Sequence, residues 1–295
     1  MTVDPFELID ESDDELKLEE AAILLIVFDA IEKAFNRLQK RIAVALRTGQ
    51  FRVVTTGTQL YQLFAPLAPG GSDVLLRAAQ SLLTKSTKRG LDLAEVLTKP
   101  VSQSPVAVSI PKSALELEAK RVREYLFRHT QSFAIKAEEV ITEGVAKGHS
   151  VEKMTDELRR GTNVLKSRAE MVIRTESCRA HFQAKMNYLK ANGFRLVIYY
   201  ATPDERTCPY CAAQSGRIFK IEAFPSLPRH PYCRCSMVPY SKDPYATSSS
   251  YDAARKAHRK AVLSYAKSRG VRLNEGPAAF ELSDPLPFRK DGKDG

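Results

Sequence analysis

Four of the chain's five cysteines, Cys208, Cys211, Cys233 and Cys235, fall within 28 residues, and His230 stands three positions before Cys233. Cys208-Pro-Tyr-Cys211 is a C-x-x-C turn that offers two thiolates from one loop. Cys233-Arg-Cys235 brings a second pair from a distant segment. In a reducing compartment this spacing favours a metal over disulfides. Zinc takes four soft or borderline ligands in a tetrahedron. Five candidates compete for four places, and a neutral histidine in place of one thiolate relieves charge. Cys208 and Cys211 are the firmest pair; from the second segment the spacing allows His230 with Cys235 or His230 with Cys233. Four protein ligands would make a closed, structural zinc site, whereas an open position could activate water. Reduced, buried cysteines without metal are the plainer alternative. Cys178 lies apart.

The chain has 295 residues, a hydrophobic share of 43% and a charged share of 27%, which fits a globular protein and excludes collagen-like and wholly disordered classes. Its net charge is +10. Residues 1–20 hold nine acids and one base, so the remainder carries +18. A basic body behind an acidic leader suggests a polyanionic partner or plain solubility, and charge alone does not choose. No secretory signal is expected from an acidic opening. The longest wholly apolar run, Ala21 to Phe28, is too short for a bilayer, which needs about 20 residues. A soluble protein made in a cytosol is expected.

The fold class expected is α+β, predominantly helical: an N-terminal helical region, then a long helix with a small β and zinc-knuckle module, between flexible termini. The parts are an acidic leader over 1–20, a helical region over 21–98, a Pro-rich linker over 99–112, the cysteine-bearing domain over 113–240, and a basic helix with a tail over 241–295. Leu24, Phe28, Ile31, Phe35, Leu38, Ile42 and Ala45 alternate steps of four and three, a helical seam. Ala21–Phe28 is apolar all round, so that helix is buried on several sides or docks on another subunit. Ser72 is a plausible N-cap for the next helix. A long helix is expected from Ser113 to Lys147, a short one from Ser150 stopping at Gly161, and a third from Thr162 or Asn163 to Asn192. Phe194–Ala201 reads as a strand, and Arg217–Ile221 as a shorter one.

Ile173-Arg174-Thr175-Glu176, Pro203-Asp204-Glu205-Arg206-Thr207-Cys208-Pro209-Tyr210-Cys211, Gly216-Arg217-Ile218-Phe219 and His230-Pro231-Tyr232-Cys233-Arg234-Cys235 follow one another in an order that resembles the phage Mu F-like head morphogenesis (minor head protein) family. The resemblance covers about residues 113–240. It implies a minor capsid protein of a tailed phage, at the portal vertex or inside the head during assembly and DNA packaging. It further implies portal, capsid and scaffold proteins as partners, packaged double-stranded DNA as a ligand of some members, and a virion location after assembly in the host bacterial cytoplasm.

Beside the resemblance, helical spacing puts Glu176 and Arg179 on the apolar face of Leu165, Ala169 and Val172, where charge is costly unless paired. Glu176 is expected to meet Arg179, Arg206 or Arg234. Arg174 faces the other way, toward the preceding long helix. Asp204 can hold a turn, and Arg206 and Arg234 can fork onto a carboxylate and lock the two cysteine segments together. The basic stretch with Arg255, Lys256, Arg259, Lys260, Lys267, Arg269 and Arg272 is expected to contact DNA or an acidic surface. No catalytic residue and no enzyme activity is assigned. A zinc-dependent nuclease is the alternative, weakened because His129, His149, His181 and His258 are not placed by sequence beside the cysteines. A cellular zinc-bearing DNA-binding protein ranks last, because finger and helix-turn-helix spacings are missing.

Overall fold

The computed structural model describes residues 5–48, 73–99, 105–202, 207–240 and 249–268. Four long helices come first or frame the core: α1 (Pro5–Thr48), α2 (Asp73–Thr98), α3 (Lys112–Ala146) and α4 (Val151–Ala191). They are followed by β1 (Leu196–Tyr200), the short α5 (Pro209–Gln214), β2 (Ile218–Lys220), β3 (Ser236–Tyr240) and α6 (Ser249–Ser268). The α+β, predominantly helical class is what the sequence indicated.

The seam seen in the sequence is the inward stripe of α1. Leu24, Ile31, Phe35, Leu38 and Ile42 are buried in one cluster with Leu82 and Leu83 of α2, Val122 and Ile141 of α3, and Leu158, Leu165 and Val172 of α4. Residues on either side of the Pro-rich stretch therefore share one core. The described part of that stretch is pinned to the end of α4: the Val106 amide donates to Asn192 Oδ1 at 2.6 Å, and Asn192 Nδ2 returns a bond to the Val106 carbonyl.

Two expectations are corrected. Residues 5–20 are not a mobile leader but the first third of α1. The apolar stripe extends through the acids as Phe6, Ile9 and Leu16, all buried. The helix expected to stop at Gly161 runs unbroken for 41 residues from its Ser150 cap, whose side chain accepts from the Lys153 amide. Gly161 is there for packing: a Cβ would lie 2.9 Å from the Phe133 ring. Gly90 is tighter still, since a Cβ would lie 2.2 Å from the His181 carbonyl oxygen, so α2 and α4 touch backbone to side-chain-less backbone there. Ser72 lies outside the described residues.

The sheet is antiparallel in the order β2-β1-β3, with Val197 opposite Phe219 and Ile198 opposite Val238. β3 was not foreseen as a strand. β1 is buried on both faces, which is why FRLVIYYA reads as continuous apolar sequence. Alternate residues divide between two clusters. Val197, Tyr199 and Ala201 face Phe182, Phe224 and the cysteines. Ile198 and Tyr200 face Phe6 and Ile9 of α1 and Leu93 and Leu97 of α2. The N-terminal half of α1 is thus the lid of one sheet face.

Candidate metal centre

The C-x-x-C turn is built by a helix start. Cys208 is the N-cap of α5, with extended backbone, and its Sγ accepts from the Cys211 amide at 3.4 Å. Pro209 takes the first helical position, where a missing N–H costs nothing. The second segment arrives through a loop pinned to α4. Tyr232 sits in the left-handed region at φ 63°, its amide donates to Thr175 Oγ1, and its hydroxyl donates to the Ser167 carbonyl at 3.0 Å.

All five predicted ligands converge. Donor atoms of Cys208, Cys211 and His230 lie within 4.8 Å of one another, and so do those of Cys211, Cys233 and Cys235. Cys211 belongs to both groups and is the centre of the cluster. His230 Nδ1 donates to the Pro231 carbonyl at 2.8 Å, which turns Nε2 to within 3.5 Å of Cys211 Sγ. A histidine held through its second nitrogen in this way is oriented as a ligand. Tyr199 donates its hydroxyl to Cys211 Sγ from the sheet side.

The protons are divided unevenly among these sulfurs. Hydrogen bonding from Cys211 holds the Cys208 thiol down to about 6. Bonds from Cys211 and Cys235 bring Cys233 to about 2, while Cys211 and Cys235 are pushed up. Sulfurs this close cannot all ionise without a cation among them. The donor set, thiolates with one imidazole, is of the kind that zinc takes, and four of these five residues would be needed to close a site. Cys178 is fully buried apart from the cluster, and desolvation pushes its thiol up, which makes it inert.

Beside the sulfurs lies a cavity of about 630 Å³ whose far wall is acidic, with Asp10, Asp13 and Asp14 of α1 facing His230, Arg234 and the cysteines. This wall is what sequence reasoning missed. Arg234 forks onto Glu20, with Nη1 at 2.8 Å from Oε1 and Nη2 bonded to Oε2, and it also lies 3.7 Å from Asp13. Arg234 thus forks onto a carboxylate as expected, one supplied by α1, and clamps the second segment to that helix. Glu20 is 1% exposed and also accepts from Ser177 of α4. Asp10 accepts from Tyr200 and Thr202, and burial raises its carboxyl despite those bonds. In the sequence these acids read only as part of the acidic leader.

Of the other motif residues, Glu176 is 4% exposed and pairs with Arg179 at 3.0 Å, one of the pairings foreseen. Arg174 bonds Glu170 of its own helix and lies over the Tyr232 ring, so it serves the cysteine loop. Asp204 and Arg206 lie outside the described residues.

The basic helix α6 packs on the same module. Arg259 donates to the carbonyls of Ala212, Ala213 and Ser215, the last at 2.7 Å, and so caps α5. Arg255 donates to the Gly216 carbonyl. Gly216 has φ 78°, and a Cβ there would lie 3.1 Å from Arg259. His258 is buried between Phe6 and Tyr200, at 4.9 and 4.5 Å, and meets Ser215 Oγ at 2.7 Å. Lys256, Lys260 and Lys267 are exposed. Arg269 and Arg272 lie outside the described residues.

Among the described residues no helix is long and apolar enough to cross a membrane. No curated protein and no solved structure matches the chain. Residues 136–238, from the last turns of α3 through α4, the sheet and both cysteine segments, match the family model described as Phage Mu protein F like protein, and the matched part includes the candidate metal centre.

Proposed function

We propose that this chain is a minor capsid protein of head morphogenesis in a tailed phage, assembled in the host bacterial cytoplasm and carried in the virion. The observation that carries this reading is the family match across the sheet and cysteine module. Its partners in this reading are the portal protein and other capsid or scaffold proteins, and its role at the portal vertex or inside the head is structural and not enzymatic. Zinc staples the two cysteine segments onto α4, holding Tyr232 and Arg234 where they grip α4 and α1. Packaged DNA is met by the outward lysines of α6, Lys256, Lys260 and Lys267, since Arg255 and Arg259 are committed to backbone carbonyls.

Quantitative mass spectrometry of purified heads tests the placement: the protein is expected in procapsids and virions, and its presence in lysate but absence from both would overturn the reading. Elemental analysis of the purified chain is expected to give stoichiometric zinc that Cys211→Ser abolishes. Plasmid cleavage dependent on His230 would overturn the non-enzymatic role. Salt-sensitive DNA binding that survives neutralisation of the three lysines would overturn the α6 contact.

A further inference from the structure

The segment Ala21–Phe28 is apolar on every side, and the fold uses only part of it. Leu24 and Val27 point into the core, while Leu25 is 71% and Ile26 38% exposed. Leu18, 74% exposed, and the exposed Ala22 continue the same outward stripe. Scattered exposed leucines are ordinary on a protein surface. These are contiguous, and what flanks them is ordered. Toward the N-terminus the stripe continues as the exposed acids Glu7 and Glu11. Toward the C-terminus it continues as the exposed bases Lys33 and Arg37. At about 100° per residue all eight positions fall within about one third of the helix circumference.

An acid-apolar-base stripe on one helix is complementary to itself when reversed. We propose that the outer face of α1 is a homodimer interface in which a second copy of this chain lays its α1 antiparallel across it, centred on Ala22. In that register Leu18 of one copy meets Ile26 of the other, Ala22 meets Ala22 on the twofold axis, Glu11 meets Lys33 and Glu7 meets Arg37. The small residue at the axis lets the helices approach closely. Glu15 and Asp29 would face each other, and each already has a cation of its own: Arg89 bonds Glu15, and Lys33 lies 2.7 Å from Asp29. A parallel arrangement would put acid on acid at one end and base on base at the other. Twofold, isologous pairing is also the commonest symmetry of homo-oligomers.

Sedimentation of the full chain across a concentration series tests this. A monomer–dimer equilibrium that weakens with salt is expected. Leu18→Glu with Leu25→Glu is expected to give monomer with unchanged helicity and melting temperature, because neither side chain supports the core. Lys33→Glu with Arg37→Glu, and separately Glu7→Lys with Glu11→Lys, are each expected to be monomeric, and an equimolar mixture of the two variants is expected to restore the dimer. A monomer at the highest soluble concentration, a dimer indifferent to the leucine changes, or a mixture that stays monomeric would each overturn the proposal.

Discussion

Glu20 and Arg234 form an ion pair between the N-terminal helix and the second cysteine segment, and the carboxylate has almost no contact with water. Burying two charges is expensive, but breaking such a pair costs more than replacing it. Glu20→Ala is expected to destabilise the fold by about 3–5 kcal/mol in urea unfolding. The double variant Glu20→Leu, Arg234→Met should recover most of that loss, so the pair's coupling shows as non-additivity. Lys185 of α4 is buried outright, donating to Ser236 Oγ at 2.5 Å and to the Met237 carbonyl, and desolvation pushes its ammonium down to about 7. Between that value and the ordinary 10.5 the unfolded chain holds a proton that the folded chain does not. Unfolding therefore takes up a proton, and stability rises with pH across the window, by up to about 1.4 kcal/mol per unit. Below pH 7 both states are protonated and the penalty is fully present. Urea titrations at a series of pH values should show this slope in the wild type and a flatter one in Lys185→Met. At this scale the sequence exposed the candidate ligands, because cysteine spacing is chemistry written locally. It hid Glu20 and Lys185, whose meaning depends on partners 214 and 51 residues away.

Helices were the most legible elements, because a 3.6-residue period survives in the sequence whatever the helix packs against. The stripe of α1 was legible from Leu24 to Ala45; over the acids before it, charge density read as a loose leader, and only the burial of Phe6, Ile9 and Leu16 shows that the stripe continues there. Gly161 was illegible for the opposite reason. A glycine inside a helical pattern reads locally as a stop, and only the Phe133 ring on α3 explains it. The two interhelical glycines should now behave differently. Gly90→Ala drives a Cβ against a backbone oxygen of α4 that cannot move alone, and overpacking of this kind costs about 1–3 kcal/mol or more. Gly161→Ala meets the edge of a ring that can turn aside and gains about 1 kcal/mol of helix propensity, so its melting temperature should stay near wild type. Thermal unfolding followed by circular dichroism separates the two. β3 escaped notice because a five-residue strand containing Pro239 breaks the usual strand signals; it is tolerated at the sheet's edge.

For the whole molecule, charge suggested an acidic leader and a basic tail flanking a compact core, and the structure draws both described ends onto one side of the sheet. Phe6 from α1 and His258 from α6 stack with Tyr200 of β1, so the ends meet over the central strand. A chain stopped after residue 248 should lose that stack and the Arg259 cap together. Amide exchange at residues 211–217 and 196–200 is expected to quicken in it, with α3 little changed; equal protection in the two proteins would contradict a structural role for α6. The same closure bears on how the chain matures at the ribosome. The acids of α1 emerge first, yet their partner Arg234 follows 214 residues later. At about 5–20 residues per second that is a wait of about 10–40 seconds. The nascent helix spends it with an unclamped acidic flank, and the sheet cannot be sealed until α6 has also been made, so commitment to the native topology waits on segments more than 200 residues downstream.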